Sequence, residues 1–292
     1  MRILVSGATG LVGAARTTHL SGAGREVVPL GRSSGAGRLC WDTLAADQLE
    51  GLDAVVHLAG ESIAGRRWTR RQMARIRDSR VLPTARLSEL LAAPSRRPPV
   101  LVCASGAGYY GDRGDEVCTE DSDPGLGFLP ETCIAWEGAS TPARDAGIRV
   151  VHMRFGMVLS ADGGALAKML PPFRFGLGGR IGHGRQYVSW IGMADVVEAL
   201  ARALDDPDLD GPVNTVAPAP VTNAEFTRVL AGVLGRPAVF PAPASMLRLM
   251  LGRMANDLLL ASTRVEPRRL LDRGFRFVQP DLESCLHALL PR

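Results

Sequence analysis

The chain has 292 residues, 46% apolar and 22% charged, enough for one large or two modest globular domains and unlike a disordered chain. Of its 34 basic residues only Lys168 is a lysine, and the net charge of +4 comes without an aromatic-lined basic stretch, which argues against a nucleic-acid groove. No apolar run reaches the length of a membrane span, so no membrane partner is expected. Cys40, Cys103, Cys118, Cys133 and Cys285 are odd in number with no Cys-x-x-Cys pair, so no disulfide framework, zinc site or other metal site is expected.

The chain opens on a strand pattern rather than a signal-peptide pattern, which makes the cytoplasm the expected compartment. Met1 to Gly13 reads as a buried strand, a glycine turn and a helix start, with an amphipathic segment over Leu11 to Ala23. In such a turn Gly7 permits the tight bend, Gly10 lets backbone approach a pyrophosphate, and Gly13 lets helix and strand pack closely. The helix N-terminus offers free N–H groups to the phosphates, and Thr9, Leu11 and Val12 join the glycines in the expected cofactor-binding set. Glu26 to Leu30 is the second predicted strand. Its end lacks the Asp or Glu that bonds an NAD ribose and carries Arg32 instead, a residue that suits the 2′-phosphate of NADP(H), with Arg38 as a second phosphate partner.

Asp53 to Gly60 is a third buried strand, with Leu58, Ala59 and Gly60 at the cofactor edge and His57 inside it as a core histidine. Thr69 to Ala92 is a predicted helix with Met73, Ile76, Thr84 and Leu87 on one face. Arg80 falls on that face and requires a partner, whereas Arg70, Arg71, Arg75 and Arg77 read as a solvated surface. Val100 to Ala104 is a strand that empties into Ser105-Gly-Ala-Gly-Tyr-Tyr-Gly111. A helix over Pro130 to Ala146 and a strand over Arg149 to Leu159 follow, with Arg154 near the end of that strand and counted in the expected cofactor-binding set. This alternation predicts an α/β fold with a Rossmann-type doubly wound parallel sheet. From Ser160 a loop excursion rich in Gly and Pro reaches Gly184. Then come a helix over Met193 to Leu204, a strand over Pro212 to Ala217, a helix over Asn223 to Leu234, and two or three helical pieces after Pro241.

The glycine turn, His57-Leu-Ala-Gly60 and a serine strand end before Tyr-Gly resemble an extended short-chain dehydrogenase/reductase of the epimerase/dehydratase type. Gly60 to Trp68, Ser79-Arg-Val81, Gly108-Tyr-Tyr-Gly111, Ala135-Trp-Glu137, Gly178 to Gln186 and Phe275-Arg-Phe277 are similar to its atypical YfcH-like subgroup, over nearly the whole chain. The resemblance implies an NADP(H)-binding Rossmann domain over 1–158, rejoined by 188–212, and a smaller C-terminal substrate domain from 159–187 and 213–292.

The standard family uses a Ser and a Tyr-x-x-x-Lys pair, in which Lys lowers the Tyr pKa from about 10 towards neutrality. Here the matching pair is Cys133 and Glu137. A carboxylate raises a thiol's pKa, which makes Cys133 a poor nucleophile. Arg80 stands at the family's helix asparagine, and Ser105 lies one residue from the usual catalytic serine. Asp195 matches a family Asp whose companion histidine is missing. These departures predict a charge pair of Arg80 with Glu137 beside the nicotinamide ribose, the alternative being an Arg80 held only by backbone carbonyls. Tyr109, Tyr110 and Ser105 are the candidate proton donors. Arg154, with Arg180, His183, Arg185 and Gln186 on the glycine loop, favours an anionic or oxygen-rich small-molecule substrate. The leading expectation is an NADP(H)-dependent oxidoreductase on a small carbonyl or hydroxyl compound. A non-catalytic NADP(H)-binding sensor and an epimerase or dehydratase are the alternatives.

Overall fold

Apolar runs with no polar alternation need cover on both faces, and the strands Arg2–Ser6, Ala54–His57, Val100–Gly106 and Arg149–Phe155 are buried almost throughout. In the computed structural model, which describes residues 1–22, 24–33, 35 and 37–290, they lie side by side in one seven-stranded parallel sheet. The order is Gly211–Thr215, Arg149–Phe155, Val100–Gly106, Ala54–His57, Arg2–Ser6, Glu26–Gly31 and Leu39–Cys40. Side chains alternate between the two layers. Ile3 and Val5 meet Leu20 and the Val196–Leu204 stripe, while Leu4 meets Leu87, Leu91 and Ala143 on the other side. Helices on both faces of a parallel sheet are the doubly wound arrangement expected above.

A second core stands beside the sheet, where Leu166, Leu170, Phe173, Trp190, Phe226, Leu230, Leu282 and Leu286 meet. It is built from the helices Gly164–Arg174, Asn223–Leu234 and Leu282–Leu289. Asp195, at the start of helix Met193–Asp205, accepts from the backbone N–H groups of Val278 (2.6 Å) and Gln279 (3.0 Å) and so fastens the C-terminal segment to the sheet. Gly211–Thr215 is the edge strand, so the stretch that rejoins the sheet runs to Thr215, past the expected 212.

Several elements differ from their sequence patterns. The strand expected over Arg149 to Leu159 breaks at Gly156, where a Cβ would lie 2.6 Å from the Ser189 carbonyl oxygen, and Met157–Leu159 pairs with Trp190–Gly192 instead. The helix expected over Pro130 to Ala146 is two, Phe128–Gly138 and Thr141–Asp145, parted at Ala139 and Ser140. Helix Gly164–Arg174 occupies part of the expected loop excursion. The first helix is Leu11–Gly22, and Ala23 lies outside the described residues.

His57 is a fully buried core residue in a polar chain that ties two strands to two helices. The Thr84 hydroxyl gives its one proton to the Arg80 carbonyl (2.7 Å) and accepts from Trp136 Nε1 (3.1 Å) and His57 Nε2 (3.0 Å). His57 is therefore protonated on Nε2, and its Nδ1 accepts from Ser6 Oγ (2.5 Å). His152 donates likewise from Nε2 to Ser140 Oγ (2.8 Å), whose proton goes to the Glu137 carbonyl (2.7 Å). Burial pushes both imidazoles down to about 4. Both stay neutral in the fold and take up a proton near pH 6.5 only on unfolding. Between pH 4 and 6.5 the unfolded chain binds more protons, and stability falls as the pH falls. The two together are expected to cost about 2.5 kcal/mol between pH 7 and 5.5. Urea denaturation at the two values checks this: an unchanged midpoint would contradict two neutral buried histidines.

Candidate functional site

The strand order reverses between Arg2–Ser6 and Ala54–His57, and both strand ends open onto one crevice. In a parallel sheet that is where ligands bind. Gly7 turns there at φ +71°, and a Cβ on it would lie 2.8 Å from the Leu58 carbonyl carbon. A Cβ on Gly13 would sit 2.1 Å from the Gly7 oxygen, so only glycine lets the helix close onto the turn. Gly10 is different. It is exposed, and a Cβ there would meet one atom, the Gly7 oxygen, at 3.2 Å, against three atoms under 3.0 Å at each of Gly7 and Gly13. The chain crowds Gly10 less than the other two, and its open side faces the crevice, where a bound group can approach the backbone. Thr9 is exposed beside it, Val12 and Leu58 lean on the core, and Leu11 packs against Gly163 and Gly164 of the second half. Helix Leu11–Gly22 carries no acidic residue in its first turn to compete with an anion.

Ala59 and Gly60 continue the facing strand end. Arg80 supports them from below, donating to the carbonyls of Ile76 (2.9 Å) and Glu61 (2.8 Å) and packing under Gly60, where a Cβ would meet its Cζ at 3.2 Å. Arg32 and Arg38 are exposed at the end of strand Glu26–Gly31, and the Arg38 side chain lies against Gly31. Ser34 of that loop lies outside the described residues.

Across the next three strand ends, the side chains expected to carry chemistry form a closed network. Arg154, 3% exposed, grips Glu137 with two parallel bonds, Nε to Oε1 and Nη2 to Oε2, both 2.8 Å. Ser105 donates to the same carboxylate (2.6 Å). The remaining Arg154 nitrogen, Nη1, donates to the Tyr110 hydroxyl (3.0 Å), which donates to Asn214 Oδ1 (2.6 Å). Asn214 is held in turn by its N–H to Glu120 (2.9 Å) and its amide to the Glu266 carbonyl (2.9 Å). Burial alone would raise the Glu137 carboxyl, but the Arg154 bonds and charge, with the Ser105 bond, hold it below the usual carboxylate range. Arg154 is stabilised as the cation by the same pairing, against burial. Burial pushes Tyr110 up to about 12 despite Arg154. Cys133, which donates to the Gly106 carbonyl (3.6 Å), rises to about 12 through burial first and the Glu137 charge second, so it is a thiol and not a nucleophile.

The expected Arg80–Glu137 pair is thus replaced by Arg154–Glu137. Arg80 folds back along its own helix to the Ile76 turn and faces the Trp136 ring at 5.1 Å, which leaves Glu137 to the neighbouring strand. Arg154, expected at the cofactor, is spent on this pair. Its guanidinium also stacks 3.4 Å from the centroid of the Tyr109 ring. Tyr109 is half-buried, and among the described residues its hydroxyl has no hydrogen-bond partner, unlike those of Ser105 and Tyr110. On the glycine loop Gln186 is buried and ties the Ile181 and Leu259 carbonyls (3.0 and 3.1 Å), whereas Arg180, His183 and Arg185 are exposed and do not join the Glu137 network. Lys168 holds the Ala64 carbonyl (2.5 Å), pinning the second half to the loop after Gly60.

The sequence model of the NAD dependent epimerase/dehydratase family matches residues 3–216, the stretch that carries the crevice and the Glu137 network. The chain belongs to that family. A domain of unknown function (DUF1731) matches residues 242–289, the segment fastened by Asp195. This member of the epimerase family is 41% identical to epimerase family protein MT2273 of Mycobacterium tuberculosis, over 94% of this chain and 93% of that protein. It is 38% identical to human epimerase family protein SDR39U1, over 99% of this chain and the whole of that one. The crystal structure of human SDR39U1 (isoform 2) with NADPH superposes with a TM-score of 0.94 at 37% identity, covering 99% of both chains. A nucleoside-diphosphate sugar epimerase from Corynebacterium glutamicum gives 0.83 at 36% identity, over 99% of this chain and 58% of that one.

Proposed function

We propose that this epimerase-family chain binds NADP(H) in the glycine crevice and exchanges hydride with a small, oxygen-rich carbonyl or hydroxyl compound. The observation that carries the cofactor is the crevice itself: a turn built on Gly7 and Gly13, an exposed Gly10, and Arg32 with Arg38 at the next strand end. The human relative solved with NADPH, matched along nearly the whole chain, supports the same reading. The turn and the first N–H groups of helix Leu11–Gly22 hold the pyrophosphate, the two arginines the 2′-phosphate, and Leu58 to Gly60 the facing edge. The nicotinamide supplies or accepts the hydride.

The chain's own contribution is orientation and one proton. Ser105 has given its hydrogen to Glu137 and Tyr110 to Asn214, so neither donates to a substrate oxygen without breaking the network. Tyr109 takes that role: its hydroxyl bonds the carbonyl oxygen, passes the proton as hydride arrives at carbon, and is reprotonated from solvent. Arg154, stacked on the ring, fixes the orientation of the Tyr109 side chain. The half built from 159–187 and 216–292 walls the substrate, with the arginines of the glycine loop toward an anionic group.

A binding protein without turnover is the second reading, favoured by the closed Glu137–Arg154 pair. The two separate on a titration of NADPH and NADH followed by a panel of aldehydes, ketones and quinones. NADPH is expected to bind more tightly than NADH. Arg32→Ala should weaken NADPH about 10- to 100-fold, the worth of a charge-assisted phosphate bond, and leave NADH unchanged. Equal loss for both would refute the phosphate role, and tight NADPH with no turnover on any acceptor would favour the binding protein.

A further inference from the structure

From Ser62 to Arg77 the sequence places six arginines and no carboxylate. Arg75 is paired with Glu61 and Arg77 with Asp78. Arg66, Arg67, Arg70 and Arg71 are exposed, and among the described residues none has a carboxylate within salt-bridge distance. Arg67 lies against Gly252, where a Cβ would be 3.6 Å from its Nε, and Gly252 ends the helix Ala244–Leu251. That helix reads Ala-Ser-Met-Leu-Arg-Leu-Met-Leu, and none of its residues is buried. Leu249 is 79% exposed and Met250 61%. Just beyond it Arg253 reaches Gly127, beside Leu126, which is 97% exposed. Beneath this surface Leu251, Trp68, Phe128 and Met254 pack together and hold the helix to the loop that leaves the cofactor edge.

The result is a set of exposed aliphatic side chains beside Arg67, which lies on a segment that also carries the unneutralised Arg66, Arg70 and Arg71. We propose that this face seats the protein on an anionic lipid bilayer, with Leu126, Leu249 and Met250 entering the headgroup–acyl boundary and the arginines meeting the phosphates. Charge decides among occupants. A second copy docked by two-fold symmetry would set the arginine-rich segment against itself. A nucleic acid would find no aromatic platform among Leu and Met. Leu126, Leu249 and Met250 keep most of their surface in solvent, which suits insertion over capture of a peptide. No helix among the described residues is long and apolar enough to cross a membrane, so the attachment is peripheral.

The test is flotation of the whole protein with vesicles of phosphatidylcholine alone and of phosphatidylcholine with phosphatidylglycerol. Binding is expected only to the anionic vesicles and should be released by high salt. Replacing Arg67, Arg70 and Arg71 by Gln should lower partitioning about fivefold per residue. Leu249→Asp with Met250→Asp should abolish it while leaving the melting temperature unchanged, since both side chains are exposed. Failure to float, or equal binding to both vesicles, overturns the proposal. So does self-association in solution that the Leu249→Asp, Met250→Asp variant removes, which would assign the face to a second copy.

Discussion

Arg154→Met is expected to lower stability by about 3–5 kcal/mol, and Glu137→Gln by a similar amount, because each leaves a buried charge or its hydrogen-bonding partners unmatched. The two side chains are only 4% and 13% exposed, so solvent does little to screen the loss. The damage spreads beyond the pair. Without Arg154 the Tyr110 hydroxyl loses a donor and the Tyr109 ring loses the cation beneath it, while Ser105 is left bonded to an uncompensated carboxylate. Combining the two substitutions should recover part of the cost, since a buried pair removed as a whole costs less than a pair half removed. Urea unfolding of the two single variants and the double variant gives the coupling directly. Single losses under about 1 kcal/mol, the range of surface pairs, would show that the bond does not hold the site.

The second large effect is on chemistry. In the standard family a lysine tunes a tyrosine on the same helix, but here those two places hold a thiol pushed up to about 12 and a carboxylate consumed by an arginine. Four neighbouring groups with transferable protons already have acceptors: Ser105 in Glu137, Tyr110 in Asn214, Cys133 in Gly106, and Arg154 in Glu137 and Tyr110. Tyr109 remains, and removing its hydroxyl should lower the rate of hydride transfer about 10²–10⁴-fold, the usual worth of a positioned acid. Ser105→Ala should cost less than about tenfold, because the proton it removes faces Glu137.

The cofactor half of this arrangement was legible because backbone constraints leave marks in sequence. Gly7 and Gly13 are fixed by a positive φ and a 2.1 Å approach that only glycine satisfies. The strands announced themselves as apolar runs, and their alternation with helices gave the sheet. The chemical half was not legible, for a different reason. Arg80 and Glu137 stand at adjacent places in the family pattern, yet which arginine meets the carboxylate depends on side-chain direction. Arg80 turns back along its own helix, and Arg154 arrives from the next strand with the planar fork that matches two oxygens. Asn214 carried no signal, being one polar residue at a strand edge, and it matters only because Tyr110 lies opposite. Helix Gly164–Arg174 was hidden by Pro171 and Pro172, which read as a loop although Leu166, Leu170 and Phe173 already traced its buried stripe.

The fold keeps the cofactor crevice intact beside a family acid–base pair that Cys133 and Glu137 replace. Single-turnover oxidation of NADPH on the purified protein, with a carbonyl from the panel that turns over, tests it most directly in the parent chain, Tyr109→Phe and Ser105→Ala. The predicted result is a rate lowered about 10²–10⁴-fold in Tyr109→Phe, nearly retained in Ser105→Ala, with NADPH affinity the same in all three. An undiminished rate in Tyr109→Phe, or a rate abolished by Ser105→Ala alone, would contradict it.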